Sequence, residues 1–446
     1  MQGGWAGVSS LSHKKKLHVF LGPVEIAGIA EGLASGLNAL GASASVRLSI
    51  PHPFNYGRDV PPWFYRFWRY IGALRNSTPR SRIVRKLALV AVHSLWSWLI
   101  LARAAFKYDA FIFLYGQTIT SSSFELWLLS RLSRKIIFIY VGSDTRPPYM
   151  DGMHAFPESG SAAAVQLMRL SLSSKKRLRL QERYADYLVN SPSTAHFHER
   201  PYINWFSLGI PKFMPVDLPP AECSSSGRIR ILHSPSHPVL KGTAIILETI
   251  DRLISKGHPI DLIKIEKMPN EVVLKELATC DFVVDQLYSD TPLAVFATEA
   301  AFFGKPAVVG GYFSEQVDCV LSGAELPPSL YIVPEQLEAA IERLIVDAPF
   351  RKALGERARR FVSERWSSSA VATRYLRLLN DDVPEEWWLS PGNVQYFQGC
   401  GLSQASVAHR VALLLEHFGA EALQVTDKPL LEQGLIAFSA SIPANA

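Results

Sequence analysis

Lys241 and Glu299 are the residues whose type and setting could do chemistry. Lys241 lies in the loop HSPSHPVLKGT, residues 233–243, and Glu299 in the run TEAAFFGKP, residues 298–306. A lysine ammonium can meet a phosphate, and a carboxylate can accept hydrogen bonds from sugar hydroxyls. Each follows an apolar run of strand length and adjoins helical periodicity, from about Thr243 and from about Leu293. That order puts polar groups at the carboxyl ends of parallel strands, where open α/β sheets bind ligands. Such a pair suits a ligand that carries both phosphate and sugar.

Other polar clusters occupy equivalent places. GPVEIAG, Gly22 to Gly28, follows the strand-like LHVFLG, so its glycines would let backbone amides approach a phosphate at a helix start; a plain strand-to-helix turn fits equally. Gly142-Ser143-Asp144-Thr145-Arg146 ends another strand, where Asp144 is either a substrate ligand or a turn cap. His233 and His237 have H-x-x-x-H spacing, but Pro235 between them rules out a helical metal pair, and they would line the loop instead. Glu25 reads as an acid of a helix's first turn, and Lys264, Glu266 and Lys267 as solvated charges. No G-x-G-x-x-G fingerprint and no G-x-x-x-x-G-K-[ST] loop is present, which removes the main support for NAD or ATP.

The elements that must position these residues form a βα rhythm. Strands are expected at 17–22, 44–50, 109–115, 135–144 and near 187–190, then at 228–234, 259–266, 280–286, 305–311 and 329–333. The runs at 109–115 and 135–144 are apolar on both faces, as in central parallel strands, and no strand pair carries an Asn-Gly hairpin turn. Helices near 335–345 and 348–380 would close the second set. The 446 residues exceed one core, and the proline- and serine-rich stretch 206–227 reads as a linker. The expectation is therefore an α/β protein of two Rossmann-like doubly wound domains, 14–205 and 228–380, with a helical extension at 381–446 that carries no visible chemistry.

Charge and composition narrow the partners. Residues 1–205 carry 25 Lys+Arg and 11 Asp+Glu, a net +14, whereas the rest of the chain is −8. A basic half favours an anionic partner, and without a nucleic-acid module an anionic membrane surface ranks before nucleic acid. Within it, residues 61–107 join arginines and aromatics to an apolar run, Leu87 to Phe106, long enough to cross a bilayer. His93, Ser94, Ser97 and Arg103 interrupt it, so a buried helix is the expectation, with a surface-lying amphipathic segment between the extremes. The four cysteines have no metal-ligand spacing, and with no signal peptide at the start a cytosolic, reduced protein is expected.

Taken in order, IYVGSDTR, HSPSHPVLKGT and DQLYSDTPLAVFATEAAFFGKPAVVGG resemble the group 1, family-4-like, retaining glycosyltransferases of the GT-B fold, over about residues 16–380. The run from Glu299 to Pro306 is similar to that family's E-A-x-A-x-G-x-P segment, and the K-G-T loop precedes it at about sixty residues. The resemblance implies two domains facing across a cleft, with a nucleoside-diphosphate sugar held by the second. It gives Lys241 the diphosphate and Glu299 the ribose. His233, Ser236, Gly242 and the backbone after Leu293, at Ala294, would complete the donor site, with Gly22 and Gly28 near the pyrophosphate. Asp144 would touch the donor sugar or the acceptor. Transfer to a glycan or lipid-linked acceptor would retain configuration without a metal or other cofactor. Cell-surface polysaccharide synthesis on the inner face of the membrane is the implied setting.

Two positions depart from the family. An acid is usual eight residues before Glu299, where this chain has Thr291, with Asp290 adjacent as a substitute. An arginine is usual five residues before the lysine, where this chain has Ser236. Those losses motivate a second reading, a non-catalytic protein of the same fold that binds nucleotide-sugar or glycan as a scaffold or sensor. A sugar-nucleotide epimerase would need a further acid/base pair that the sequence does not supply.

Overall fold

The computed structural model describes residues 16–51, 61–154, 160–211, 227–321 and 323–442. The expected loose segment 1–13 and most of the expected linker lie outside these residues.

The strands are β1 His18–Gly22, β2 Ser43–Val46, β3 Ala110–Leu114, β4 Lys135–Ile139, β5 Tyr187–Asn190, β6 Tyr202–Asn204, β7 Ile229–His233, β8 Ile260–Lys264, β9 Phe282–Val284, β10 Ala307–Gly310, β11 Leu330–Ile332 and β12 Trp388–Leu389. They form two sheets, in the orders β12-β6-β5-β4-β3-β1-β2 and β11-β10-β9-β7-β8. All pairs are parallel except β12 with β6. The protein is thus two Rossmann-like domains facing across a cleft with a helical extension, the GT-B arrangement. In each sheet the strand order reverses beside the first strand, at β1/β3 and at β7/β9. A crevice opens at the carboxyl ends of such strands because their crossovers leave on opposite faces.

Burial explains why these runs became strands. In β9, Phe282 and Val284 pack into the core on one face and Val283 into the core on the other; in β7, Ile231 and Leu232 divide in the same way. Period-2 alternation between two apolar cores is what a doubly covered sheet requires.

Three features differ from the sequence reading. The edge strand β6 was not expected; its three residues are too short to show a period, and its antiparallel partner β12 lies far along the chain. The expected helix at 348–380 is two helices, Ala348–Arg365 and Ser368–Leu379, broken at the buried Trp366. The second returns to the first domain and packs on helix Ile29–Ala39, so closely that a Cβ on Gly36 would lie 2.1 Å from the Ser368 carbonyl oxygen. Beside it, Arg374 Nη1 donates to the carbonyls of Leu208 at 2.7 Å and Arg365 at 2.6 Å, tying the two interdomain crossings together.

The third difference concerns helix Ile83–Lys107, which pairs with helix Trp63–Ser77. Only 28% of its most apolar stretch, of mean hydropathy 1.6, is buried. The expectation of a buried helix is therefore corrected. Its partner and the sheet cover one stripe (His93, Ser97, Ile100, Leu101, Ala104 and Ala105), Phe124 of helix Ser123–Arg131 meets Trp98 at its side, and most of the remaining surface of the helix is exposed.

Replacing Gly36 by alanine is expected to cost about 1–3 kcal/mol, because the methyl group meets the Ser368 backbone, which cannot yield as a flexible side chain would. Urea denaturation of the variant checks this; an unchanged midpoint would contradict the packing.

Candidate functional site

The carboxyl ends of both sheets enclose a cleft of about 590 Å³. The loop after β1 brings Ile26 and Ala27, that after β3 Tyr115, and that after β4 Val141, Ser143 and Arg146. From the second domain come Ser234 to His237 and Lys241 after β7, and Gln286, Asp290, Thr291 and Ala294 after β9. These are the loops that flank the strand-order reversals, as the topology demands.

Lys241 faces the cleft and its Nζ lies 3.0 Å from Asp285 Oδ1. The other oxygen of the buried Asp285 has no hydrogen-bond partner among the described residues. Glu299 also lines the cleft, one turn into helix Val295–Phe302, and its Oε1 accepts from Asn270 Nδ2 at 2.9 Å. Val295 and Phe296 open that helix at the cleft wall. A helix leaves its first-turn amides without intrahelical acceptors, so they and Lys241 form a place for an anion. Ser236, Thr291 and Ala294 line the same space.

Several expected donor residues do other work. His233 is fully buried, with Nδ1 donating to the Val284 carbonyl at 2.8 Å and Nε2 accepting from Thr243 Oγ1 at 2.9 Å. Burial lowers its pKa, consistent with a neutral ring that ties β7 to β9 and to the next helix. Gly242 caps that helix at φ 68°, and a Cβ there would lie 2.7 Å from Leu287 Cβ. Leu293 is core. Neither lines the cleft.

The glycine loop is filled from within. The Glu25 carboxylate accepts from the amides of Ala30 at 3.3 Å and Glu31 at 3.1 Å, taking the helix-start position that a phosphate would use. Burial pushes its pKa up to about 7 against the pull of those amides. Gly22 is required for packing, since a Cβ there would sit 2.2 Å from the Arg47 carbonyl oxygen. Gly28 is the helix cap at φ 84°. The expected pyrophosphate contact at Gly22 and Gly28 is thus replaced by internal capping. Asp144 behaves likewise as the turn cap: its Oδ1 accepts from Val141 N at 3.1 Å and Gly142 N at 2.9 Å, and it lies behind the cleft wall. Burial raises its pKa to about 6.

The residue that the sequence reading left unassigned is Arg146. It is buried, and it spans the cleft. Its Nε donates to Asp290 Oδ2 at 3.1 Å, its Nη2 reaches the same oxygen, and its Nη1 lies 3.3 Å from Asp151 Oδ1. Asp290 is therefore engaged by the opposite domain and does not stand in for the acid missing at Thr291. The only sequence signal was an arginine closing the polar cluster after β4. The tail was missed for a related reason, since its contacts are remote in sequence. Cys400 and Gly401 form part of the cleft wall. Cys400 exchanges backbone hydrogen bonds with Met150 and Gly152, while Gly401 N donates to the Tyr288 carbonyl at 2.9 Å. Burial and then Asp290 push the Cys400 thiol up to about 12, so it stays protonated.

No protein-family model and no curated protein matches the chain. Among solved structures it is similar to the glycosyltransferase SnogD from Streptomyces nogalater, at 16% identity and a TM-score of 0.40 over 82% of this chain and 100% of that one. It is also similar to Anabaena HepE in complex with UDP and glucose, at 12% identity and a TM-score of 0.43 over 82% and 100%. A third is the spinosyn rhamnosyltransferase SpnG with spinosyn aglycone, at 13% and 0.38 over 80% and 99%. The chemistry of this cleft rests on its own residues.

In and against the cleft, three cations (Arg146, Lys241 and Lys267) face four carboxylates (Asp151, Asp285, Asp290 and Glu299). Charge alone does not draw in a diphosphate. Any anion entering the cleft would have to draw Lys241 from Asp285.

Arg146→Ala strands two buried carboxylates and is expected to cost about 3–5 kcal/mol, with part recovered by adding Asp290→Asn. Denaturant melts of the cycle check this, and additive losses would contradict the pair. Asp144 titrates at about 6 folded against 3.8 unfolded, so its contribution is present below 3.8 and lost as pH rises through 6. Asp144→Asn, which keeps the Oδ1 acceptor, is expected to gain on the parent across that window by up to about 3 kcal/mol. Melting curves from pH 4 to 7 test it; a constant difference would contradict the burial.

Proposed function

We propose that the cleft binds a nucleoside-diphosphate sugar and transfers the sugar to a glycan or lipid-linked acceptor. The observation that carries this is the convergence of Lys241, Glu299 and the first turn of helix Val295–Phe302 on one interdomain cleft. A diphosphate leaving group gains negative charge as the anomeric C–O bond breaks. A fixed ammonium and helix amides aimed at it lower that barrier, and this electrostatic contribution is often the largest in catalysis. Glu299 supplies the acceptor for ribose hydroxyls, held in place by Asn270. Retention of configuration and independence from metal follow from the family resemblance.

A second reading is favoured by the Arg146 cross-bridge. With Asp290 neutralised by Arg146 and Ser236 uncharged, the cleft would bind donor or glycan without turning it over, as a scaffold or sensor. The two readings separate on turnover.

A thermal-shift panel of UDP-, GDP-, dTDP- and ADP-sugars finds the donor, since a ligand at a hundred times its dissociation constant adds about 2.7 kcal/mol. With that donor and an acceptor panel, the enzyme is expected to release nucleoside diphosphate. Lys241→Ala should weaken donor binding roughly ten- to a hundredfold, the worth of a charge-assisted contact of about 1.5–3 kcal/mol. Glu299→Ala should abolish release while the fold survives by melting. Tight binding without release would select the scaffold reading, and no stabilisation by any member would reject both.

A further inference from the structure

Helix Ile83–Lys107 carries an exposed apolar stripe along its whole length. Val84, Leu87, Ala91, Leu95, Trp98, Ala102 and Phe106 recur at three- and four-residue spacing, and all are exposed. Val84 is 79% exposed, Leu95 69% and Phe106 78%. The stripe continues onto helix Ser123–Arg131, where Phe124 lies 5.9 Å from Trp98 between ring centroids, and Trp127 lies 5.1 Å from Phe124. A soluble protein rarely leaves so long a contiguous apolar face to water.

The charge around it identifies the occupant. Residues 61–107 contain 9 Lys+Arg and no Asp or Glu. Successive residues turn by about 100°, which sets Arg85, Arg103 and Lys107 along one flank of the stripe, and exposed Arg80 and Arg82 precede the helix. The Arg131 guanidinium lies 6.0 Å from the Trp127 ring at the other border. An apolar stripe bordered by cations, with aromatic rings among them, matches the boundary between headgroups and acyl chains. The opposite stripe is held by the fold: Trp68 Nε1 donates to Ser97 Oγ at 2.8 Å and Trp96 Nε1 to the Phe64 carbonyl at 3.0 Å. A helix fixed along one side lies flat and does not span.

We propose that this face docks the protein on a bilayer with anionic headgroups. The docking also places the cleft. A Cβ on Gly72 would lie 2.0 Å from the Ser49 carbonyl and 3.1 Å from His93 Nε2, so both helices pass Ser49 there, three residues beyond β2. Lys107 stands just before β3. Residues 83–92 therefore extend about 15 Å past the carboxyl edge of the first sheet, the edge that opens into the cleft. Docking on this face brings the cleft mouth to the lipid surface, where an amphiphilic acceptor would be found.

Flotation of the full chain with vesicles tests the proposal independently of donor binding. Flotation is expected with vesicles of roughly one-third anionic phospholipid and much less with zwitterionic lipid, and salt should weaken it. Each cation near the surface is worth about a fivefold change in partitioning, so Arg85→Ser/Arg103→Ser/Lys107→Ser should lose roughly a hundredfold. Leu87→Glu/Leu95→Glu, at exposed positions and checked for an unchanged melt, should abolish flotation. No flotation on anionic vesicles, or variants that float like the parent, would overturn the proposal. So would a non-floating dimer that Leu87→Glu/Leu95→Glu disperses, since the stripe would then be a subunit interface.

Discussion

The geometry of the cleft depends on one buried guanidinium. Arg146 leaves the first domain at the end of β4 and meets Asp290 from the loop after β9, with Asp151 on its other side. Taking three charges from water is costly unless each is paired, so the arrangement holds only while the two domains keep this separation. Asp290 is fixed from a second direction as well, because Ser193 Oγ donates to its carbonyl at 2.9 Å. The tail segment around Cys400 then closes one wall by hydrogen bonding to both domains.

The same pairings that set the cleft's shape also neutralise its charges. Lys241 rests on Asp285 and Arg146 on Asp290, so an incoming anion exchanges partners with carboxylates already present. The N-cap of helix Val295–Phe302, Ala294, supplies no side-chain cap, so on the proposed reading this helix start is where a phosphate would anchor. The first domain's equivalent helix start is different: Glu25 occupies it. The two halves of the fold therefore have the same topology but unlike capacity for an anion.

Much of the fold was legible because central parallel strands leave a plain trace. AFIFL, KIIFI and AVVG are apolar on both faces and end in turn residues. Lys241 and Glu299 were legible for a related reason, since each lies in the loop or helix that follows such a strand. What escaped depends on contacts remote in sequence. Gly22 and Gly28 read as phosphate glycines, yet the deciding residue is Glu25, whose carboxylate folds back onto the amides. Arg146 could be seen, but its partner lies 144 residues away. The helix at Ile83–Lys107 shows a further limit: an apolar helix has the same composition whether protein or lipid covers it, and only the fold shows which stripe is taken.

The exposed stripe and the cleft meet at the same edge of the first sheet, so donor chemistry and surface docking would share one geometry. Hydrogen–deuterium exchange of the full chain with and without saturating nucleoside diphosphate tests the central claim most directly. The account predicts slowed exchange in two segments together, Val295 to Ala297 at the helix start and Lys241 to Thr243 across from it. Slowed exchange confined to the glycine loop, Gly22 to Gly28, or none in either cleft segment from a diphosphate that binds, would contradict it.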